Sequence, residues 1–426
     1  MHDVTELLTL GPEAVRRLAR RRYPLDVAAL KAAHRRRTTA LAALSGLRAE
    51  AKAASRGHGA GTPGEQARRA ARRLREQVQQ AQAAADRAEA ELSELLLAIP
   101  NLPLEQVPDG HSDTEAVEVR RGGPPVQEGT PRAAHHADLG EALNILDHSR
   151  AARLSGARFT VVRAAGARLE RALADFFLDL HTTEHGYTEY SVPYLVNRQT
   201  MTGTGQLPKF ADELFATAVG DRELFLVPTA EVPLTNLVAG ELLPDARLPL
   251  AFTARTPCFR AEAGSYGRDT RGILRLHQFE KVELVRICAA QDAPGQLQLM
   301  VEHAEECLRR LELSYRVVLL PAGDLGFSAR MTYDLQVWLP GSNTFREISS
   351  VSDCGTFQAR RAGIRVRTRG GGKEPAATLN GSALPIGRTL AALLEQHQRP
   401  DGSVELPKAL QPYAGFARIL PDGTPE

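Results

Sequence analysis

With 426 residues, 53 Lys+Arg, 51 Asp+Glu and a net charge of +2, the chain exceeds one ordinary core, and two or three domains are expected. No apolar run approaches the ~18 residues of a membrane span, and Met1 to Glu6 carry neither the basic nor the apolar region of a secretory leader. Cys258, Cys288, Cys307 and Cys354 are scattered without paired spacing, which argues against a disulfide framework or a thiolate zinc site and points to a reducing, cytoplasmic setting.

The near-neutral total conceals an asymmetry. Residues 1–100 hold 18 Lys+Arg against 11 Asp+Glu, a net of +7, whereas the remainder holds 35 against 40, a net of −5. Such a division fits a nucleic-acid surface at one end of the chain, and equally a well-solvated helical face.

Residues 1–100 read as a helical domain. A segment from about Asp26 to Ser55 is rich in Ala, Leu and Arg, with Leu41 and Leu44 as candidate seam positions. The stretch from Arg56 to Gly64 contains four glycines and a proline and must turn. Beyond it, Leu74, Val78, Ala81, Ala85, Ala88, Leu92, Leu95 and Ile99 alternate steps of four and three, a heptad seam. Two antiparallel helices of ~30 residues span roughly 45 Å at 1.5 Å per residue. Arg68, Arg69, Arg72, Arg73 and Arg75 fall mainly away from the seam, where they suit phosphate contacts. A dimerising coiled coil with a charged exterior shares the same pattern.

Pro100 to Pro103 ends the helical run, and residues 101–130, with Arg120 to Pro125 rich in Gly and Pro, read as a linker. Residues 131–426 are mixed. A helix is expected from about Ala167 to His185, followed by a short strand before Pro193, with further strands at Glu223–Val227, Lys281–Val285 and Tyr315–Leu320. The sequence has neither a GxGxxG nor a Walker A pattern, so a nucleotide site would use other means.

Two segments carry the chemistry. The first runs from Thr256 through Arg260, Ala261 and Glu262 to Ser265, then from Gly267 through Arg275, Leu276 and Phe279 to Glu283. Strand, charged loop and returning strand would set a guanidinium for phosphate charge and an aromatic face for a purine. Taken singly, Arg260 and Glu262 equally suit a cross-strand ion pair. The second segment, Leu379 to Glu395, reads as a strand leading into a helix that begins around Gly387-Arg388.

Together these segments resemble motifs 2 and 3 of class II aminoacyl-tRNA synthetases in their bacterial seryl form. The resemblance runs from residue 1 to about Ile419. It implies an α+β fold: an N-terminal antiparallel helical hairpin, a coiled-coil arm that binds tRNA, plus a class II catalytic domain built on an antiparallel β-sheet flanked by helices. The Ala167–His185 region would be motif 1, the dimerising element, which implies a homodimer. The implied reaction is ATP-dependent formation of seryl-adenylate and transfer of serine to the 3′ end of tRNA(Ser) and, by family, tRNA(Sec). A ligase built on the same domain that loads a carrier or feeds a biosynthetic pathway is the alternative; neither membrane nor DNA is implied as a partner.

Residue by residue, the resemblance makes Arg260 the catalytic contact to the ATP α-phosphate and the serine carboxylate. Glu262 and Arg275 assist the nucleotide, with Ala261 and Leu276 beside it. Phe279 stacks on adenine, and Arg388 is the second catalytic cation, on the opposite face. L-Serine is assigned to Thr229, Ala230, Glu231, Glu283 and Ser382, with Glu231 taking the ammonium and Glu283 the hydroxyl. Glu347, Ile348, Ser349 and Ser350 line the nucleotide, and Glu347 and Ser350 hold Mg²⁺. Val351 and Asp353 stand where the resemblance leads one to expect Cys and Asn, and Gln396-His397-Gln398 replaces Asn-Tyr-Gln.

Overall fold

The computed structural model describes residues 1–57, 64–126, 133–263, 271–368 and 370–426. The chain divides into two units, Met1–Pro100 and Asn101–Glu426.

In the first unit, two short helices, Val4–Leu10 and Pro12–Ala19, precede the long helices Val27–Gly57 and Glu65–Ala98. Asp26 starts the first long helix by accepting the Ala29 N–H at 2.8 Å, an N-cap interaction that satisfies an otherwise unpaired donor. The expected turn at residues 58–63 lies outside the described residues. The long helices pair through alanine and leucine: Leu30, Ala33, Leu44, Ala85, Ala88 and Leu92 are buried, as is Ile99 just past the second helix. Two seam expectations need correction. Leu41 is 38 % exposed, and Leu96 rather than Leu95 is buried. An α-helix turns at 3.6 residues, so a strict heptad drifts off the contact line near its end. Arg36 to Glu91, Arg37 to Glu89 and Arg48 to Gln82 bridge the two helices. Alanine buries little area, so these polar bridges share in holding the pair.

The second unit is built on an eight-stranded sheet: β1 (Val117–Gly122), β2 (Thr188–Glu189), β3 (Leu250–Phe259), β4 (Gln278–Cys288), β5 (Tyr315–Leu319), β6 (Met331–Leu339), β7 (Thr344–Asp353) and β8 (Ala377–Pro385). The spatial order is β1-β5-β6-β7-β8-β4-β3-β2, and every pairing is antiparallel except β2 with β3. Helices Ala164–Thr183, Ala293–Arg310 and Ile386–His397 cover it and share its main apolar core, which includes Leu169, Phe177, Val282, Leu284, Leu335, Ile348 and Leu390.

Residues 101–126 do not behave as the expected linker. Asn101 binds the carbonyls of Phe327, Ser328 and Cys354, and β1 pairs with β5 from Val117↔Leu319 to Gly122↔Tyr315. Loop-like composition here answers a packing demand: a Cβ on Gly122 would lie 2.4 Å from the Tyr315 ring. Residues 127–130 lie outside the described residues.

Between helices Ala164–Thr183 and Ala293–Arg310 lies a polar cluster. His181 and His185 share an Nδ1···Nδ1 contact of 2.9 Å, His185 stacks on His303 at 3.9 Å, and Tyr187 Oη contacts His303 Nδ1 and accepts from Arg286. Cys307 Sγ lies 3.3 Å from His181 Nε2. Burial, then the neighbouring His185 and Arg286 charges, push His303 down to about 3, and burial holds His181 well below its ordinary value. The unfolded chain therefore takes up these protons first, so stability is full above about pH 6.5 and falls as pH drops toward 3. At pH 5, His303 alone accounts for about 2 kcal/mol of that loss. Urea unfolding at pH 7 and pH 5 is expected to show a smaller loss in His303→Gln than in the natural chain.

Candidate active site

A cavity of about 650 Å³ opens over the β4, β7 and β8 region of the sheet. Its walls include Glu231, Arg260, Glu262, Arg275, Glu347, Ser350, Ser382 and Arg388, from four separate parts of the sequence. A narrow recess of about 50 Å³ shares Arg260, Arg275 and Arg388 with it and adds Leu276 and Phe279.

Antiparallel pairing of β3 with β4 sets the first group. Cys258 faces Phe279, Thr256 faces Lys281 and Ala254 faces Glu283. Side chains two apart on a strand share a face, so Phe279, Lys281 and Glu283 line up toward the cavity. At the strand end, the Arg260 N–H donates to His277 O at 2.9 Å, and its Nε donates to Pro228 O at 3.3 Å. The guanidinium carbon lies 5.2 Å from the Phe279 ring centre. The cross-strand ion pair conceivable between Arg260 and Glu262 does not form: Glu262 pairs with Arg275 at 2.6 Å. Residues 264–270 of this segment lie outside the described residues. Ala261 is held by its N–H on Glu213 O at 3.0 Å.

Helix Ile386–His397 delivers Arg388, whose Nε donates to Leu274 O at 3.1 Å and whose Nη1 reaches Glu347 O at 2.8 Å and Glu347 Oε1 at 3.2 Å. One side chain thus ties the returning segment to β7. A second tie lies behind it. His136 is fully buried with Nδ1 2.6 Å from Glu395 Oε1, while Nε2 accepts the Ile273 N–H at 3.3 Å. These partners assign the proton to Nδ1. Gly272 has φ +79°, and a Cβ there would lie 2.0 Å from His136 Nε2, so glycine makes room for the ring. Glu395 also accepts from His136 N and Gly341 N, and His135 Nδ1 accepts from Ala137 N, so this group is internally satisfied.

On the carboxylate side, Glu231 accepts from Gln358 Nε2 at 2.6 Å and Asn380 Nδ2 at 3.0 Å. Burial and then the Glu283 charge push Glu231 up to about 7. Glu283 is raised by burial and partly restored by the Lys281 ammonium, with which it forms a buried ion pair. The Thr229 hydroxyl accepts the Glu231 N–H at 3.2 Å.

The expected residues divide by orientation. Thr229, Glu231, Arg260, Glu262, Arg275, Glu283, Glu347, Ser350, Ser382 and Arg388 line the cavity, and Leu276 and Phe279 the recess. The side chains of Ala230 and Ile348 are buried in apolar clusters, and Ser349 Oγ donates to Ser382 O at 2.7 Å. A register shift in the β6–β7 pairing, where Leu335 faces Ser349 and Gln336 faces Glu347, turns Ile348 and Ser349 inward. Arg68, Arg69, Arg72, Arg73 and Arg75 are exposed on the first unit, and Arg69 pairs with Glu65.

Comparison with known proteins resolves the family. Residues 1–103 match a family model described as the seryl-tRNA synthetase N-terminal domain, and residues 215–397 one described as the tRNA synthetase class II core domain (G, H, P, S and T). Serine–tRNA ligase 2 of Streptomyces avermitilis is 72 % identical over 424 residues, covering 99 % of each chain. The chain belongs to the seryl-tRNA synthetase family. A serine–tRNA ligase of Neisseria gonorrhoeae is 49 % identical, covering 97 % of this chain and 98 % of its own. The crystal structure of a seryl-tRNA synthetase from Pyrococcus horikoshii complexed with ATP superposes with a TM-score of 0.87 at 32 % identity, over 99 % of this chain and all of that one.

The departures from the seryl-tRNA synthetase pattern point away from the cavity. Val351 and Asp353 are each 1 % exposed, and Asp353 pairs with Arg330 at 2.9 Å. Gln396 bonds to the Ser314 and Trp338 backbones, and His397 to Leu311 O. Sequence reasoning missed Lys281, Gln358 and Asn380 as partners of the cavity carboxylates. Lys281 and Asn380 stood inside the motif segments, where alternation with Glu283 and Ser382 could have flagged them; Gln358 lay in no motif. Removing one member of a buried ion pair costs about 3–5 kcal/mol, whereas neutralising both costs far less. Lys281→Met is therefore expected to destabilise the second unit by about 3 kcal/mol in urea unfolding at pH 7, and Lys281→Met with Glu283→Gln to recover most of it.

Proposed function

We propose that the chain works as an ATP-dependent serine–tRNA ligase: it activates L-serine as seryl-adenylate with release of pyrophosphate and transfers serine to the 3′ end of tRNA(Ser). The observation that carries this reading is the meeting in one cavity of Arg260, Arg275 and Arg388 with the carboxylates Glu231 and Glu283. Such a set suits a triphosphate and a zwitterionic amino acid side by side. The match at residues 1–103 disfavours the carrier-loading alternative, which has no use for a tRNA arm.

In this reading Arg260, fixed through Pro228 O and the Phe279 face, holds the α-phosphate and the serine carboxylate for in-line attack. Glu262 and Arg275, flanked by Ala261 and Leu276, seat the nucleotide; adenine stacks on Phe279; Arg388 reaches the distal phosphates. Gln358 and Asn380 aim Glu231 at the serine ammonium, whose charge favours the ionised carboxylate despite burial. Glu283 accepts from the serine hydroxyl, with Thr229 and Ser382 shaping a pocket too small and polar for larger side chains and Ala230 backing it from an apolar cluster; a site built on that hydrogen bond rejects substrates lacking the hydroxyl. Glu347 and Ser350 are hard oxygen donors on the cavity face and fit Mg²⁺, with Ile348 and Ser349 supporting them from behind. When bound, the ion neutralises phosphate charge.

The arm, residues 1–100, presents Arg68, Arg69, Arg72, Arg73 and Arg75 to the tRNA backbone, reading shape more than sequence. The second unit, Asn101–Glu426, forms the catalytic domain. A homodimer through the Ala164–Thr183 region and use of tRNA(Sec) extend the reading. Among the described residues no helix is long and apolar enough to cross a membrane, and four free, buried cysteines suit a reducing cytoplasm.

Serine-dependent pyrophosphate exchange and charging of total tRNA test the proposal together. Arg260→Gln is expected to cut exchange on the order of 10²-fold or more. Reversing the five arm arginines to Glu in the full chain is expected to leave exchange unchanged and to weaken tRNA binding steeply at 0.1 M salt. Exchange without any tRNA charging by the natural chain would defeat the ligase reading.

A further inference from the structure

Asp334 lies on β6 directly opposite Ser350 on β7. Residues facing each other across an antiparallel pair project to the same side of the sheet, and Ser350 lines the cavity. The next pair on this face repeats the direction: Thr332 Oγ1 and Ser352 Oγ are 2.9 Å apart, and Ser352 also lines the cavity. Asp334 is 6 % exposed and sits behind the cavity surface. The register sets the Ser350 hydroxyl beside its carboxylate, with Glu347 and Asp324 as nearby negative charges and Arg388 as a positive one. Oδ1 of Asp334 has no hydrogen-bond partner among the described residues. A buried carboxylate oxygen without a partner, beside a second carboxylate, is expensive unless a cation or a donor arrives.

A serine hydroxyl ligates a cation through its oxygen lone pair, which requires its proton to point elsewhere. Asp334, opposite Ser350, is placed to take that proton, and its unpartnered Oδ1 leaves an acceptor for a further donor. We propose that Asp334 is the positioning residue of the divalent-cation site: it turns the Ser350 hydroxyl so that a lone pair faces the ion and accepts from a cation-bound water through Oδ1. Gln336, the next residue on the same face of β6, is already engaged by Arg316 Nε at 2.8 Å and does not share this role. The inference rests on the reading of Glu347 and Ser350 as the groups that hold the cation.

Mn²⁺ tests this by electron paramagnetic resonance, which counts free ion directly, in the presence of a non-hydrolysable ATP analogue. Loss of an outer partner of a metal ligand typically weakens the metal 10–100-fold. Asp334→Asn is expected to raise the Mn²⁺ dissociation constant about 10-fold or more while serine binding and the melting temperature stay near those of the natural chain. Asp334→Ser, which keeps a small polar group, gives a second measurement should the asparagine variant fold poorly. Ser350→Ala is expected to weaken Mn²⁺ as well, and adding Asp334→Asn to it to cost less than in the natural chain, because the shared hydroxyl is gone. Natural Mn²⁺ affinity in both Asp334 variants, with Glu347→Gln and Ser350→Ala impaired, overturns this inference alone. Natural affinity in Glu347→Gln and Ser350→Ala overturns the underlying site reading instead.

Discussion

The register between β3 and β4 is the constraint on which the cavity depends. Residues Leu250–Phe259 pair with Gln278–Cys288 without a shift. Phe279, Lys281 and Glu283 thereby share one face with Val285 and Ile287, which continue into an apolar cluster, while Val282 and Leu284 enter the main core. A slip by one residue would send Lys281 and Glu283 into that core and Val282 into the cavity. The apolar halves of both faces therefore specify the position of the charged end, and the charged end needs no strong local interaction of its own.

Charge at that end is tolerated because it is matched. Lys281 offsets Glu283, Arg275 meets Glu262, and amide donors from Gln358 and Asn380 support Glu231. Burial raises both Glu231 and Glu283, and the residual mismatch is the sort that a bound ammonium or hydroxyl relieves. Substrate complementarity and the stability of the empty cavity draw on the same groups. On the proposed reading, the cavity gives up some stability in the free chain, and serine supplies the missing donors.

Much of this was legible in the sequence where the signal is local. Arg260, Glu262, Arg275 and Phe279 occupy one hairpin, and Arg388 follows a strand within one motif, so a resemblance read from contiguous segments carried them. The helical hairpin was equally plain, apart from the drift that exchanged Leu95 for Leu96 and left Leu41 outside. What stayed hidden depended on pairing between distant segments. Gln358 reaches Glu231 across 127 residues, and Asp334 gains its place only from the β6–β7 register. The strand at Val117–Gly122 was hidden by its glycine, which composition assigns to loops and which the Tyr315 ring in fact requires.

His136 joins two segments that line the same recess, the stretch at Ile273 and the helix carrying Glu395. An imidazole places a donor and an acceptor on opposite sides of a rigid five-membered ring, at a separation no rotamer can alter. Amide side chains carry both functions at one tip, and hydroxyls on a single atom. The breadth of this gap is therefore written in ring geometry, and the range of side chains that could span it is narrow for reasons of shape before any question of acidity arises. Exchange at this position would be felt as a change in the distance between two parts of the molecule, far from any atom that reacts.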